Sequence, residues 1–532
     1  MNNKLVVVIV AILAVIVVVG GLGYHYNLFG KQQPKYNTIT FASSATPASI
    51  DPAVAFDTNS VFFDDQIYQT LVGYNTTTYN GHTVGSIAPA PGLATHWTIA
   101  SNGSVTFYLR QNVTFSNGDA MNSSAVAFSL NRVITMDQGP AFHVAQFLNS
   151  SGIHVLGPYT VMLVPSAPYP WFLNLFQLWV TGIVDPSYVN AHGGVAKDSV
   201  NTYMATHAMG TGPYELQSYG SQQITMVVNP HYWGAAPNIT QIIYSVVNQA
   251  STQQTLLQKG SVNVALNIPL DQIGNLKNYT NVKVKSGPTS SEYYIGMDEN
   301  VTPFNNLSVR KAVEYAVNAS VLTAHSTFGY GTPIYSGMAP TIEDYKPYFN
   351  MYKQNVTLAK QYLAQNKTYA NGFNTKFYYT ANDPVGQDIA TILQQQLSAI
   401  GINITLNPVA SSTFNAQVGQ GTYPMFYEGW VNLLATPDDG LRPLFNSANL
   451  GLYGNYNYFN NSTVSHDLVN AGKQYNATLR DANYTQAQLI LAQQAVEVPL
   501  FNLQNVIPMT TNVHGLLVYP TFDIFVAQAT LS

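Results

Sequence analysis

The sequence predicts an α/β protein built as one large body behind a short N-terminal segment. Strand-like and helix-like stretches alternate from Tyr36 onward. The strand-like Lys376–Thr380, a helix-like stretch over 385–400 and the strand-like Ile402–Leu406 form a β-α-β pattern, which builds right-handed parallel crossovers. We find no internal repeat and no long low-complexity linker. The 532 residues therefore predict one α/β body with lobes rather than a string of modules.

The N-terminal segment reads as a membrane anchor. Leu5–Gly23 carries no charged residue, and as a helix it would be roughly 28 Å long, close to the ~30 Å of a bilayer core. A secretory signal peptide is the alternative, but its apolar core usually has only about 7–15 residues. We expect residues 1–30 to supply an anchor, or a signal segment, plus tether, and the body to follow outside the cytoplasm.

The body's elements follow from local pattern. Alternating apolar residues predict strands. Apolar residues at helical spacing after an Asp or Asn cap, with a glycine at the end, predict helices. The predicted elements ahead of the β-α-β unit are a strand over 36–42, a helix over 57–71, strands over 104–109 and 241–247, and helices over 251–259 and 309–321.

The composition excludes several classes of function. The absence of cysteine rules out disulfides, thiolate metal sites, cysteine nucleophiles and a cysteine-linked lipid anchor. A net charge of −5 argues against nucleic-acid binding. Only 8% of residues are charged, against a typical ~25%, so the surface is rich in amides and hydroxyls and would suit an acidic exterior. About seventeen Asn-x-Ser/Thr sites are compatible with a glycosylated, extracellular body.

Common catalytic motifs are absent from the sequence. There is no Gly-x-Ser-x-Gly, His-Glu-x-x-His or Walker A pattern, and Gly210-Thr-Gly212 lacks the third glycine of a dinucleotide-binding loop. The eleven histidines are scattered, so we expect no metal and no cofactor. Asp438 and Asp439 could form an acid/base pair, but a turn with a helix cap after Pro437 explains them more simply. Asp64-Asp65 reads as a solvated helix face.

Six blocks in order resemble the family 5 extracytoplasmic solute-binding proteins, the dipeptide- and oligopeptide-binding components of ABC importers. The blocks extend from about Tyr36 to the C-terminus, which makes the resemblance specific. They are ASIDPAVAFDTNSVFFDDQIYQTLVGYN (Ala48–Asn75), a Pro-Gly-Leu-Ala to helix signature (Pro91–Ile134), GTGPYELQSYGSQQITMVVNPHYWG (Gly210–Gly234), FNNLSVRKAVEYAVNASVL (Phe304–Leu322), Glu-Gly-Trp with a Pro-Asp segment (Glu428–Asp439) and VEVPLFNLQ (Val496–Gln504).

The resemblance implies a class II, two-lobed periplasmic-binding-protein fold that closes on its ligand. Lobe I would comprise residues 36–285, with an inserted subdomain at about 56–184, and would be completed by 490–532. Lobe II would comprise 286–489. The chain would cross between the lobes twice, near 285 and near 490, and these crossings would form a hinge around an interlobe ligand cleft.

The resemblance also implies a binding function without chemistry. Hinge closure would present the loaded protein, an expected monomer, to a permease and an ATPase on separate chains, with residues 5–23 holding it at the membrane. Nickel or haem, which some family members bind, ranks last because the sequence offers no cysteine and no histidine cluster.

Two charged residues with which members of this family bind peptides are replaced by uncharged residues in this sequence. The carboxylate expected three residues after the Gly-Trp tryptophan is Leu433 here, and an arginine expected three residues before it is Tyr427. A shifted segment would let Asp438 or Asp439 take a peptide amine. A peptide could instead be held by backbone pairing. The candidate ligand-binding residues are Trp430, Tyr427, Asn432, Asp438 and Asp439.

Other ligands and functions remain open. An oligosaccharide is the alternative ligand, with Trp430, Tyr427, Asn432 and a tyrosine-rich run (Tyr453, Tyr456, Tyr458) as aromatic and amide contacts. An extracellular hydrolase would need two convergent carboxylates, and the acids here are sparse. A surface-layer protein would show repeats or β-sandwich modules. The ordered blocks favour a solute receptor.

Overall fold

Strands and helices alternate along residues 37–79, 82–451 and 454–532, which the computed structural model describes. The strands are β1 (Thr38–Ser43), β2 (Val72–Tyr79), β3 (His82–Pro91), β4 (Ala94–Ile99), β5 (Val105–Leu109), β6 (Ile153–Gly157), β7 (Thr160–Leu163), β8 (Tyr214–Tyr219), β9 (Gln223–Val228), β10 (Gln241–Val246), β11 (Val264–Ala265), β12 (Val282–Gly287), β13 (Ser291–Met297), β14 (Gly331–Pro333), β15 (Phe373–Thr380), β16 (Ile402–Val409), β17 (Met425–Val431), β18 (Glu497–Leu503), β19 (Asn505–Thr510), β20 (Val513–His514), β21 (Leu517–Val518), β22 (Ile524–Phe525) and β23 (Thr530–Leu531). The helices are α1 (Thr58–Ile67), α2 (Ser123–Met136), α3 (Phe142–Ala145), α4 (Pro186–Ala191), α5 (Ala250–Gln258), α6 (Leu270–Leu276), α7 (Leu307–Ala316), α8 (Ala319–Ser326), α9 (Val356–Ala364), α10 (Pro384–Ser398), α11 (Ser411–Val418), α12 (Pro437–Phe445), α13 (Ser462–Ala471) and α14 (Ala477–Gln493).

Two large sheets form the centres of two lobes. The first sheet has the strand order β12-β19-β11-β1-β10-β9-β8, and the second has the order β14-β18-β13-β17-β15-β16. Strand β1 lies inside the first sheet, parallel to both β10 and β11, and its Ile39 and Phe41 are fully buried. The N-terminal strand therefore completes a sheet that otherwise comes from the middle and the end of the chain.

The predicted β-α-β unit is confirmed in the second sheet. Strands β15 and β16 are parallel, with Phe377 opposite Leu406, and α10 connects them. Helix α10 buries Ile389, Leu393 and Leu397, which lie four residues apart on one face. Gly401 then turns the chain into β16 with a φ of +85°, in the left-handed region that glycine favours.

The chain passes between the sheets at two adjacent places, residues 288–290 and Gln504, which we call the hinge. The Thr289 hydroxyl donates to the Leu503 carbonyl over 2.6 Å, and the Asn502 amide donates to the Thr289 carbonyl over 2.9 Å. The second passage lies later than the boundary near 490 implied by the resemblance, because β18 pairs with β13 in the second sheet.

A third packing region is formed by residues that follow α1 in the chain. Residues 72–184 contribute the β2–β3 hairpin, a four-stranded sheet of order β4-β5-β7-β6, and α2. Their apolar side chains form one continuous cluster with side chains of α12, α13 and α14, so this region packs directly against the second lobe.

The predicted helix over 309–321 is wrong as a single element. The structure has two helices, α7 and α8, separated at Val317 and Asn318. The Asn318 side chain accepts from the backbone N–H of Val321, so it starts a new helix instead of continuing the old one. Helical spacing of apolar residues does not reveal such a restart.

Asparagine caps six of the α-helices in the described part of the chain. In each, the side-chain oxygen accepts from one or two backbone N–H groups of the first turn, groups that have no partner within the helix. The capped helices are α2 (Asn122), α7 (Asn306), α8 (Asn318), α9 (Asn355), α13 (Asn461) and α14 (Asn476).

Two further expectations have different outcomes. The predicted solvated face at Asp64-Asp65 is wrong, because Asp64 is only 2% exposed and Asp65 only 8%. The predicted anchor at residues 5–23 lies outside the described residues, so it stays a prediction. Within residues 37–79, 82–451 and 454–532, no helix has the length and apolar character to cross a bilayer.

Candidate functional site

The lobes touch where residues 146–171 face α12 and α14. The Trp171 indole N–H donates to Glu343 Oε1 over 3.0 Å, and the Arg480 guanidinium lies 5.0 Å from the centre of the Trp171 ring. The Tyr169 backbone N–H donates to the Tyr475 hydroxyl over 3.2 Å. These contacts join the region inserted between β1 and β8 of the first sheet to the second lobe.

Helix α12 brings charged groups to this junction. Thr436 caps the helix by accepting from the Asp439 N–H over 3.3 Å, and Pro437 occupies its first turn. Asp438 and Asp439 lie in the same turn, where the helix dipole favours negative charge. The expected helix start at Pro437 is confirmed, but the expected cap after Pro437 is wrong, because Thr436, which precedes the proline, is the cap.

Asp438 is buried and engaged by an arginine one turn away. Arg442 Nε lies 2.9 Å from Asp438 Oδ1, and Arg442 Nη2 lies 2.8 Å from Oδ2. The same guanidinium reaches across the junction, with Nη2 3.4 Å from Gln146 Oε1 and its centre 5.6 Å from the Phe147 ring. The charge of Asp438 is thus compensated within the protein, which leaves it a weak partner for a ligand amine.

Asp439 and Trp430 form a pair at the same place. The Trp430 indole N–H donates to the Asp439 backbone carbonyl over 3.0 Å, and Asp439 Oδ2 accepts from the Leu434 N–H over 3.1 Å. Burial, with a smaller contribution from Asp438, raises the pKa of the Asp439 carboxyl to about 6. The half-buried Trp430 ring and a carboxyl without a cationic partner of its own suit an ammonium group.

Tyr427 and Asn432 are held within the second lobe by other contacts. Tyr427 belongs to the core of the second lobe, with its ring 5.9 Å from that of Tyr293 and close to parallel with it. Asn432 is fully buried, and its amide donates to the Ser290 carbonyl over 2.6 Å and to Glu292 Oε2 over 2.7 Å. Asn432 therefore connects the hinge to the second sheet.

The tyrosine-rich run does not converge on this junction. Tyr456 packs in a small cluster with Phe414 and Tyr423, and the Tyr458 hydroxyl donates to the Gly419 carbonyl over 2.8 Å. Tyr453 lies outside the described residues. Among the described residues, no group of three or more histidine, aspartate or glutamate side chains is placed to hold a metal ion.

The residues that close the junction were missed from the sequence. Tyr169 and Trp171 lie in a segment without regular structure, and no motif marks them. Arg442 carried a usable signal, since a cation four residues after an acid on a helix forms an ion pair. Arg310, on α7, has a structural role: it lies 3.1 Å from Glu299 and donates to the Gln494 carbonyl.

Comparison with known proteins agrees with this architecture. The "Probable D,D-dipeptide-binding periplasmic protein DdpA" of Escherichia coli is 28% identical over 487 residues, which cover 91% of this chain and 92% of the relative. The structure of HbpA2 from Haemophilus parasuis has a TM-score of 0.79 at 24% identity, covering 93% of this chain and all of the other. The binding protein DppA from Helicobacter pylori, in complex with a peptide, has a TM-score of 0.76 at 24% identity, covering 93% and 98%.

Two α/β lobes joined by a double hinge define a periplasmic-binding-protein fold, and the similar structures share it. The model of the bacterial extracellular solute-binding proteins, family 5 (middle part), matches residues 88–451. The chain belongs to that family, and the resemblance of its sequence blocks is confirmed.

Proposed function

We propose that this chain is the substrate-binding protein of an ABC importer and captures peptides in the cleft between its lobes. The observation that carries the proposal is the junction at α12, where Trp430 and Asp439 lie beside residues that touch across the lobes. The relatives named for peptide binding support the peptide class. The function is binding, and the released ligand is unchanged.

We propose the following roles for the five candidate residues. Trp430 supplies an aromatic platform, and Asp439 takes the peptide amine in place of the family carboxylate that is Leu433 here. Asp438 positions the Arg442 guanidinium so that it reaches Gln146 across the junction. Asn432 stabilises the hinge through its hydrogen bond to the Ser290 carbonyl. Tyr427 contributes to the lobe core that supports β17.

A closed receptor can gain ligand affinity from contacts that exist only when the lobes meet. The Trp171–Glu343 and Arg442–Gln146 contacts are of this kind, because each joins residues from the two sides of the junction. Ligand binding would then shift the population towards the closed form, which a permease recognises. The permease and the ATPase would be separate chains, and the receptor would act as a monomer.

We propose the following lobe boundaries, which the membership of strands in the two sheets supports. Lobe I comprises 36–287 with an inserted subdomain at about 56–184 and is completed by 505–532; lobe II comprises 291–503. Residues 5–23 anchor the chain with its body outside the cytoplasm, and some of its Asn-x-Ser/Thr sites carry glycans.

Mass spectrometry of the molecules released on denaturing purified residues 31–532 tests the ligand class. Peptides are the expected result. They should rebind to the refolded protein in calorimetry, and cello- or manno-oligosaccharides should not. Recovery and rebinding of oligosaccharides alone would overturn the peptide assignment while leaving a binding protein.

A further inference from the structure

A cavity of about 290 Å³ lies on the first lobe, and none of its described lining residues belongs to the junction at α12. All of its described lining residues lie before residue 234 or after residue 516. They come from α1 and the residues after it, the β2–β3 hairpin, residues 177–182, the segments around Pro213 and Trp233, and the C-terminal segment. At ~30 Å³ for each water-sized group, the cavity has room for a small molecule of about ten non-hydrogen atoms.

One wall of this cavity holds a buried carboxyl group without a partner. Asp64 is 2% exposed, and neither of its carboxyl oxygens has a hydrogen-bond partner among the described residues. Burial, followed by the charges of Asp51 and Asp57, raises the pKa of Asp64 well above its usual value. A buried charged group is costly unless a counter-charge or hydrogen bonds compensate it.

The other acids nearby already have partners. Asp51 forms a buried ion pair with Arg132, whose Nη1 lies 2.7 Å from Asp51 Oδ1. Asp65 Oδ2 accepts from the backbone N–H of Ile524 over 3.1 Å. Asp523 accepts from the Thr521 hydroxyl. Asp64 is therefore the carboxyl of this group that remains available to a ligand.

Aromatic side chains form much of the remaining wall. The lining rings include Tyr68, Tyr74, Trp179, Tyr232, Trp233 and Tyr519. One of them already binds a cation, since the Arg110 guanidinium lies 4.1 Å from the centre of the Trp233 ring. The faces of such rings attract cations, and quaternary ammonium groups are typical ligands of aromatic cages.

We propose that this cavity is a second binding site, which takes a small organic ammonium ion with Asp64 as its counter-ion and the surrounding aromatic rings as its walls. Its residues are distinct from those of the junction at α12. Binding here therefore does not depend on the identity of the ligand in the interlobe cleft.

Calorimetric titration of the protein with choline tests the proposal, with 3,3-dimethylbutan-1-ol as the uncharged probe of nearly the same shape. We expect choline to bind at least tenfold more tightly than the alcohol. Asp64→Asn should lower choline affinity at least tenfold, and Tyr232→Leu, at a half-buried ring, should lower it severalfold. Asp271→Asn, at an exposed acid, should leave it unchanged.

Thermal unfolding of each variant verifies that it is folded, and the Tyr232 variant keeps the test decisive if Asp64→Asn does not fold. Equal binding of choline and the alcohol, unchanged affinity in folded Asp64→Asn, or no choline binding at 10 mM would each overturn the proposal. Unchanged peptide binding by Asp64→Asn would separate this site from the interlobe cleft.

Discussion

Glu497 is predicted to make the protein less stable as the pH rises. Its side chain is buried on β18, where Oε2 accepts from the Asn457 amide over 3.3 Å and Oε1 has no partner among the described residues. Burial raises the pKa of Glu497 to about 8, from an ordinary 4.5. Two more buried acids, Glu292 and Glu314, lie near it. Burial raises the pKa of each of them, and the charge of Glu497 raises both pKa values further.

The size of the effect follows from the two pKa values of Glu497. A carboxyl with a raised folded-state pKa binds its proton more tightly when folded, so its stabilising effect is present below pH 4.5 and is lost as the pH rises towards 8. Between pH 4.5 and pH 7 the loss amounts to about 3 kcal/mol. For a body of roughly 500 residues unfolding as one unit, that corresponds to a fall of about 3 °C in melting temperature.

Calorimetric melting of ligand-free protein between pH 4.5 and pH 8 measures this loss. Glu497→Gln keeps the shape and a hydrogen-bond acceptor but cannot ionise, so it should match the wild type at pH 4.5 and exceed it by about 3 °C at pH 7. Asp271→Asn, at an exposed acid, should follow the wild-type curve. A constant difference between Glu497→Gln and the wild type at every pH would refute the reasoning.

Three predictions concern ligand binding by the interlobe junction. Trp430→Ala should weaken peptide binding at least tenfold, ~1.4 kcal/mol, in calorimetry, while Trp430→Phe, which keeps a ring, should lose less; wild-type affinity in a folded alanine variant would remove Trp430 from the site. Acetylating the peptide amine should cost the wild type more than tenfold but Asp439→Asn little, and equal losses in both proteins would assign the amine elsewhere. Trp171→Phe removes the hydrogen bond to Glu343 and should weaken peptide binding about fivefold, because such a bond contributes about 1 kcal/mol. The control is Trp97→Phe, at a half-buried tryptophan of β4, and a loss no larger than in that control would argue against a closing contact.

The fold was predictable where local pattern and family resemblance agreed. The unit from β15 to β16 could be predicted because its strands, helix and terminal Gly401 each carry a local signal. The split of α7 from α8 could not, since it depends on a single capping side chain. The burial of Asp64 and Asp65 was also hidden, because adjacent acids on a helix ordinarily face water and only tertiary packing covers them. The C-terminal segment covers Asp65, for example, where the Ile524 N–H donates to its carboxylate.

The candidate site was predictable only where a local motif marks its residues. Trp430 could be located from the Gly-Trp motif, and the helix start at Asp438 and Asp439 from the preceding proline. The residues that face them come from residues 146–171, far away in sequence and without a motif. Contacts between lobes depend on how two separate packing units meet, and no local periodicity encodes that.

The asparagine caps give the Asn-x-Ser/Thr sites a second meaning. Each of the six capping asparagines is also the first residue of such a site, because a serine or threonine follows two positions later, within the first helical turn. The cap uses the side-chain oxygen, whereas a glycan attaches to the side-chain nitrogen, so the two are chemically compatible. An aspartate cap would weaken as its carboxyl took up a proton near pH 4, whereas an amide has no such transition. The caps of these six helices therefore do not change protonation in acid. The same short motif is thus both a possible glycosylation site and the start of a helix.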